Sequence, residues 1–379
     1  MMKRAIVVGI SALALCAPAF AAPNVTNPTQ KGSLLIWPDI RVDGAWNTLI
    51  RLQNDGSQDV EVICYWMDGN KNRVDFVVTS TRSQPFWFDA LTGNGTDRVN
   101  RFPGGPANGF NNPLLGPAAL PNPAGLGGPQ TGAYGKGLLA CWAVDAGEQN
   151  HVKWNHLSGT ATVYHPAAGA YEYNASAFFI PTGLDLQPVG TSGVRNLNGV
   201  EYDSCPLYQM GQFSPQGAVE PLNPEPGVVP LSVSWNRLTL VGCSLDFGQD
   251  WTAVYTKWHF DVWNEDEVKF TGAFECADSW HEIDLFTPGT VPVERTATAF
   301  EDGLDAGANN FQSATLGTFA ARYRVQGIKS TQCEREAATG QPAIVTQAVG
   351  VLAVQSTSVA PGMSGTTLAA AGKFNGKIG

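Results

Sequence analysis

The chain has 379 residues, 43% of them hydrophobic and 10% aromatic, which suffices for a sizeable core in two domains or in one domain with large insertions. Only 15% are charged, and the formal net charge is −10. This acidic balance argues against nucleic acid and anionic membrane surfaces as partners, because both are bound by clustered lysines and arginines.

The N-terminus predicts a secretory signal peptide over residues 1–21. A basic start precedes the apolar run Ala5–Leu15, which is too short to span a bilayer, and Ala19–Ala21 form an A-x-A cleavage site. A lipoprotein acylated at Cys16 is the alternative, but the large Leu15 precedes that cysteine where a small residue is usual. Cleavage removes two basic residues and no acid, so the net charge moves from −10 to −12.

The first half of the chain shows the period-two alternation of strands with one buried face. Residues 49–53 alternate, residues 54–57 form a polar turn, and residues 60–66 alternate again with Trp66 on the apolar face. Two such runs around a short turn predict a β-hairpin.

The run Leu49–Cys64, LIRLQNDGSQDVEVIC, resembles a segment common in bacterial immunoglobulin-like surface modules. In those modules one strand ends in Asn-x-Gly and the next begins Val-x-Val. The resemblance implies an immunoglobulin-like sandwich and assigns no functional residue.

A calcium site is one interpretation of the residues that follow. Asp68, Asn70 and Asn72 stand at positions 1, 3 and 5 of a calcium loop, but Arg73 stands where an EF-hand loop needs glycine. A hairpin turn between strands at 65–67 and 74–78 explains the same residues and is the favoured interpretation.

The middle of the chain alternates between irregular stretches and strands. More than half of residues 93–136 are Gly, Pro or Asn, which predicts a long insertion that is either functional or disordered. Leu138–Val144 and Thr160–Phe179 predict strands that return to the first unit. The Pro- and Gly-rich stretch Pro181–Leu231 predicts the boundary between two units.

The second half predicts another hairpin, followed by a strand around Tyr323. Residues 257–263 alternate, 264–267 form a polar turn, and Phe274 and Cys276 are assigned to the same buried face as Phe270. This hairpin and the earlier one each end in a cysteine and then a tryptophan. Either an internal duplication or coincidence between two ordinary hairpins explains the similarity.

Trp263 is the principal binding candidate. Trp258 shares its parity with apolar neighbours and is predicted to lie in the core, whereas Trp263 shares a face with His259 and Asp261. An outward tryptophan beside polar residues suits a ligand or a protein interface, so Trp263, His259 and Asp261 form the candidate site.

The stretch Asp246–Asp284 holds ten carboxylates and two lysines. Cation binding or paired-carboxylate catalysis would each use such a surface, but an ordinary solvated face, with Asp261 pointing to water, is favoured. His281-Glu282 begins like a zinc-protease motif, yet Leu285 replaces the second histidine. Neither a G-x-S-x-G nucleophile elbow nor a phosphate-binding loop occurs, and no cofactor is predicted.

Six cysteines remain in the mature chain, an even number typical of disulfides in an exported protein. None of them lie in the close pairs that zinc sites use. Among the fifteen possible connectivities, we predict the one that keeps each bridge within one unit. The predicted pairs are Cys64–Cys141, Cys205–Cys243 and Cys276–Cys333.

The sequence thus predicts an all-β protein with two immunoglobulin-like β-sandwich units, residues 22–185 and 186–379. Its predicted role is structural, adhesive or ligand-binding without catalysis, and its predicted location is secreted, at the cell surface or in the periplasm. The expected partner is another protein or a glycan, and no apolar run of about 18 residues follows the signal peptide. Alternatives are a glycoside hydrolase using acids of the second unit, and a surface polymer assembled by strand exchange.

Overall fold

The computed structural model describes residues 25–42, 45–67, 73–91, 135–147, 150–166, 169–191, 196–213, 218–219, 231–243, 254–277, 280–285, 320–330, 345–361 and 368–373. These residues form strands and no helix, which confirms the all-β prediction. In chain order the strands are β1 (Leu34–Arg41), β2 (Asn47–Asn54), β3 (Val60–Met67), β4 (Arg73–Ser80), β5 (Gln84–Asp89), β6 (Lys136–Val144), β7 (Asn150–Val152), β8 (Leu157–His165), β9 (Gly169–Asn174), β10 (Ser176–Phe178), β11 (Pro188–Thr191), β12 (Tyr208–Phe213), β13 (Ala218–Val219), β14 (Leu231–Gly242), β15 (Val254–Asn264), β16 (Lys269–Ala277), β17 (Trp280–Asp284), β18 (Ala321–Ile328), β19 (Val345–Thr346), β20 (Val351–Pro361) and β21 (Leu368–Lys373).

The described strands form four sheets, numbered here I to IV. Sheet I has the order β5–β2–β8–β9, and sheet II has the order β10–β1–β6–β3–β4, extended by β7 and β11. Sheet III has the order β13–β14–β20–β21 with β17 beside β14, and sheet IV has the order β12–β18–β15–β16. Strand β19 joins β15 in parallel, whereas the pairings within these four orders are antiparallel.

The sheets stack in the order I, II, III, IV, with a hydrophobic cluster between each neighbouring pair, and β21 of sheet III also lies beside β9 of sheet I. Strand β1 illustrates the arrangement, because Leu35 and Trp37 pack toward sheet I while Leu34 and Ile36 pack toward sheet III. All eight residues of β1 are buried. A strand covered on both faces loses the polar alternation of a surface strand.

The predicted hairpin of residues 49–66 is wrong. Strand β2 pairs with β5 and β8 in sheet I, whereas β3 pairs with β4 and β6 in sheet II. The turn between them therefore crosses from one sheet to the other, and Gly56 lies so close to the Trp154 ring that a Cβ would approach it to 2.2 Å. Strands facing each other across a core and strands paired in one sheet show the same alternation, so the pattern does not distinguish them.

The favoured hairpin between β3 and β4 is confirmed, with Met67 opposite Arg73. The hairpin of β15 and β16 is also confirmed, but its faces are not those predicted. The register skips Gly272 in β16, which places Phe270 opposite Val262 but Phe274 opposite His259. A one-residue bulge moves every later side chain to the other face, so Phe274 and Cys276 lie on the face away from Phe270.

Two of the three predicted disulfides are present, Cys64–Cys141 and Cys205–Cys243. Cys276 is also disulfide-bonded, and its predicted partner Cys333 lies outside the described residues.

Strand β11, just after the predicted unit boundary, pairs with β7 of sheet II. The insertion at 93–136 lies almost entirely outside the described residues.

A buried charge network connects sheets I, II and III. Arg41 of β1 is 0% exposed, its Nε lies 3.0 Å from Asp39 Oδ1, and its Nη2 donates to Glu282 of β17. The Tyr171 hydroxyl donates to Asp39 at 2.5 Å, and Lys136 Nζ lies 3.2 Å from Glu282 Oε1. Burial raises the pKa of Asp39. For Glu282 burial acts in the same direction, but Arg41 and Lys136 outweigh it and hold the pKa below its ordinary value.

Candidate binding site

Strand β15 presents two faces of opposite character. Trp258, Phe260 and Val262 are fully buried toward sheet III, which confirms that Trp258 is a core residue. The opposite face, which forms part of the outer face of sheet IV, carries the candidate residues at the parity that the sequence predicted. These residues are Lys257, His259, Asp261 and Trp263.

Neighbouring strands add three cations to this outer face. Arg322 and Arg324 of β18 lie opposite Trp263 and Asp261, and Lys269 of β16 lies opposite Trp263 on its other side. We call Asp261, Trp263, Lys269, Arg322 and Arg324 the basic-aromatic cluster. Sequence reasoning missed Arg322 and Arg324 because it did not pair β15 with β18; Lys269 lies in the hairpin that it did predict. The alternation of Arg322 and Arg324 with apolar residues could have indicated that both arginines lie on the outer face of a strand in the same sheet.

Asp261 was predicted to point to water, and this prediction is wrong. Asp261 is 2% exposed, because Lys269 and Arg324 cover its carboxylate. Lys269 Nζ lies 2.9 Å from Oδ1, Arg324 Nη2 donates to Oδ2, and His259 Nε2 lies 3.6 Å from Oδ1. Burial raises the pKa of Asp261, but the hydrogen bonds from Lys269 and Arg324 outweigh it and hold the pKa below its ordinary value.

Trp263 lies between two cationic groups. The Arg322 guanidinium carbon is 4.8 Å from the ring centroid, and Lys269 Nζ is 5.5 Å away. Both distances fall within the range of about 6 Å over which a cation is attracted to an aromatic ring. A sugar ring stacking on Trp263 would compete with these contacts, whereas an anion would find two cations already held in place.

The outer face is covered at its His259 end and open at its Trp263 end. Phe274 and Cys276, which share this face, are 6% and 1% exposed, and Lys257 Nζ lies 3.9 Å from the Phe274 centroid. Burial lowers the pKa of His259, which is therefore neutral at pH 7. At the other end the Lys269 and Arg324 side chains are 46% and 35% exposed. A ligand therefore has access through the basic-aromatic cluster.

We expect Asp261→Asn to lower the free energy of unfolding by about 2 kcal/mol at neutral pH, since it removes a carboxylate that accepts two charged hydrogen bonds. Because the folded-state pKa of Asp261 is lowered, this stabilisation is present above the unfolded-state pKa and is lost as the pH falls through the folded-state value. Urea unfolding at pH 7 and at about pH 3 measures both effects. A difference between wild type and variant that stayed constant across this range would contradict the assignment.

Two carboxylates of the predicted acidic stretch, Asp261 and Glu282, do not have the character of a general acid. A general acid needs a raised pKa, whereas those of Asp261 and Glu282 are lowered by neighbouring cations. Asp39 has a raised pKa but is 1% exposed, so a substrate does not reach it. Residues 265–267 form an exposed turn, as predicted.

No group of three or more His, Cys, Asp or Glu side chains suited to a metal ion occurs among the described residues. The calcium candidates Asp68, Asn70 and Asn72 lie outside the described residues.

No protein-family model matches the chain, and no curated protein matches it. Within the described ranges there is no helix of the length and apolar character needed to cross a bilayer.

Proposed function

We propose that this chain is an exported, disulfide-stabilised binding protein of the cell surface or periplasm that holds an anionic partner on the basic-aromatic cluster. The proposal rests on one observation. Lys269 and Arg322 contact the Trp263 ring, Arg324 pairs with Asp261 beside it, and Asp261 is the only acidic member of the cluster. The three cations of the cluster outnumber its one carboxylate on a chain whose formal charge is −10, and the exposed acidic turn at 265–267 lies next to them.

Local charge of this sign favours an acidic protein segment or an acidic glycan. Opposite potentials steer the encounter and set specificity. The ion pairs with Asp261 also fix the positions of Lys269 and Arg324 before a partner arrives, which reduces the ordering entropy lost on binding.

The disulfides support export, because such bonds persist in oxidising compartments. The proposal includes two immunoglobulin-like sandwich units, one formed by sheets I and II and the other by sheets III and IV. Its support is the segregation of strands, since β1 to β11 supply sheets I and II and β12 to β21 supply sheets III and IV.

Arg322→Glu is expected to weaken binding of poly-glutamate or heparin by about tenfold or more, because it reverses one charge of the cluster. Biolayer interferometry with the immobilised full chain measures the affinity at low and physiological ionic strength. Higher salt is expected to weaken binding by wild type.

Lys31→Glu is the matched control, because Lys31 is a half-exposed cation that pairs with Asp55 and belongs to neither proposed site. It makes the same change of net charge and is expected to bind the probes almost as wild type does. The proposal fails if wild type binds neither probe at low salt, or if the two variants lose affinity equally.

A further inference from the structure

The outer face of sheet I presents an exposed tryptophan beside several polar side chains. In β5, Phe86 and Phe88 face the core, and Trp87 between them points outward with 43% of its surface exposed. Trp87 makes no ring or cation contact with any other described residue, in contrast to Trp263. Its aromatic surface is therefore available to a ligand.

A row of polar side chains continues from Trp87 across the sheet. Arg51 of β2 lies directly opposite Trp87, yet its Nη1 points the other way, to Thr162 Oγ1 and Glu172 Oε2, each at 2.9 Å. Thr162 Oγ1 also donates to Glu172 Oε2 at 2.8 Å. These hydrogen bonds hold donors and acceptors in fixed positions on β2, β8 and β9. Four strands at about 4.8 Å spacing give the row a length of about 14 Å, enough for more than one sugar ring.

Charge and polarity indicate the class of ligand. Arg51 and Glu172 neutralise each other, so the row favours neither an anion nor a cation. The core of a protein interface needs clustered apolar residues, but the neighbours of Trp87 on β2 and β8 are Arg51, Gln53 and Thr160, with Leu49 the one apolar side chain among them. A flat aromatic ring next to fixed hydrogen-bonding groups complements a pyranose ring, which has an apolar face and a rim of hydroxyl groups.

We propose that the outer face of sheet I is a binding site for a neutral glycan, with Trp87 stacking on a sugar ring and Arg51, Thr162 and Glu172 hydrogen-bonding its hydroxyl groups. This site is separate from the basic-aromatic cluster, since sheets I and IV are the two outer layers of the stack.

The full chain is tested on an array of neutral oligomers of glucose, mannose, galactose and N-acetylglucosamine, with acidic oligosaccharides alongside, and the strongest hit is titrated by calorimetry. Wild type is expected to bind neutral oligomers, and Trp87→Ala to bind them about tenfold more weakly or worse, as for loss of a central aromatic contact. The double variant Arg51→Gln/Glu172→Gln retains Trp87 and is also expected to lose affinity, which keeps the test decisive if Trp87→Ala unfolds at a lower temperature.

Trp263→Ala is the matched control and is expected to retain glycan binding. The inference is overturned if wild type binds no neutral oligomer above background, if it binds acidic ones alone, or if Trp263→Ala loses as much affinity as Trp87→Ala. Because the anionic probes report on Arg322 and the neutral oligomers on Trp87, failure of one site is distinguishable from failure of the other.

Discussion

Trp258→Ala is expected to lower the free energy of unfolding by about 3–5 kcal/mol, the usual cost of removing a large aromatic side chain from a packed core. Trp258 is 0% exposed in the cluster between sheets III and IV, and its indole N–H has no hydrogen-bond partner among the described residues. The loss of stability should therefore come from the missing packing contacts and from the cavity that the smaller side chain leaves. Urea unfolding monitored by circular dichroism measures it.

Trp263→Ala, five positions along the same strand, is the control for that experiment. It removes an outer-face indole that contacts Arg322 and Lys269 rather than the core, so we expect a loss of at most about 1 kcal/mol. Equal destabilisation by the two substitutions would mean that Trp263 belongs to a second packed layer. The Trp263 end of the outer face would then not be open to a ligand.

Arg41→Ala is expected to cost about 3–5 kcal/mol, because removing one partner of a buried ion pair leaves its charges uncompensated. Arg41 is 0% exposed between Asp39 and Glu282. The loss should decrease in acid, where the remaining carboxylates are neutralised by protonation. Chemical unfolding at neutral pH and at about pH 4 measures both effects.

Arg51→Ala is the matched comparison, because Arg51 forms a single ion pair with Glu172 in which both side chains are about half exposed. Exposed pairs contribute about 0–1 kcal/mol. If Arg41→Ala destabilised no more than Arg51→Ala, the network between the sheets would have no structural importance.

The sequence predicted where strands occur better than which strands pair. Alternation at β2 and β3 located both strands correctly, but the same alternation is produced by hairpins and by strands facing each other across a core. At β16 the alternation was interpreted as unbroken, although the register skips Gly272. A glycine within a strand was the available signal for a bulge.

The candidate site was predicted in part, because its position on β15 follows from alternation alone. Its electrostatics depend on Lys269, across the predicted hairpin, and on Arg324, which is distant in sequence and reaches Asp261 only through the pairing of β15 with β18. Trp87 was predictable by the same reasoning as Trp263, since Phe86 and Phe88 flank it at core parity. The charge network around Arg41 was not predictable from the sequence, because a charged residue at the end of an apolar strand gives no indication of its partners.

The Cys205–Cys243 bond has a mechanical consequence. Asp203 and Ser204, just before Cys205, are hydrogen-bonded to Phe179 and Thr26 beside sheet II, and Cys243 directly follows β14 of sheet III. A force that pulled the two outer sheets apart would act on the packed surface between sheets II and III, where side-chain contacts yield over short displacements. The disulfide bond is a second, covalent link between sheets II and III that acts alongside this packed surface. It continues to transmit tension through the backbone after the two packed sheets have begun to separate.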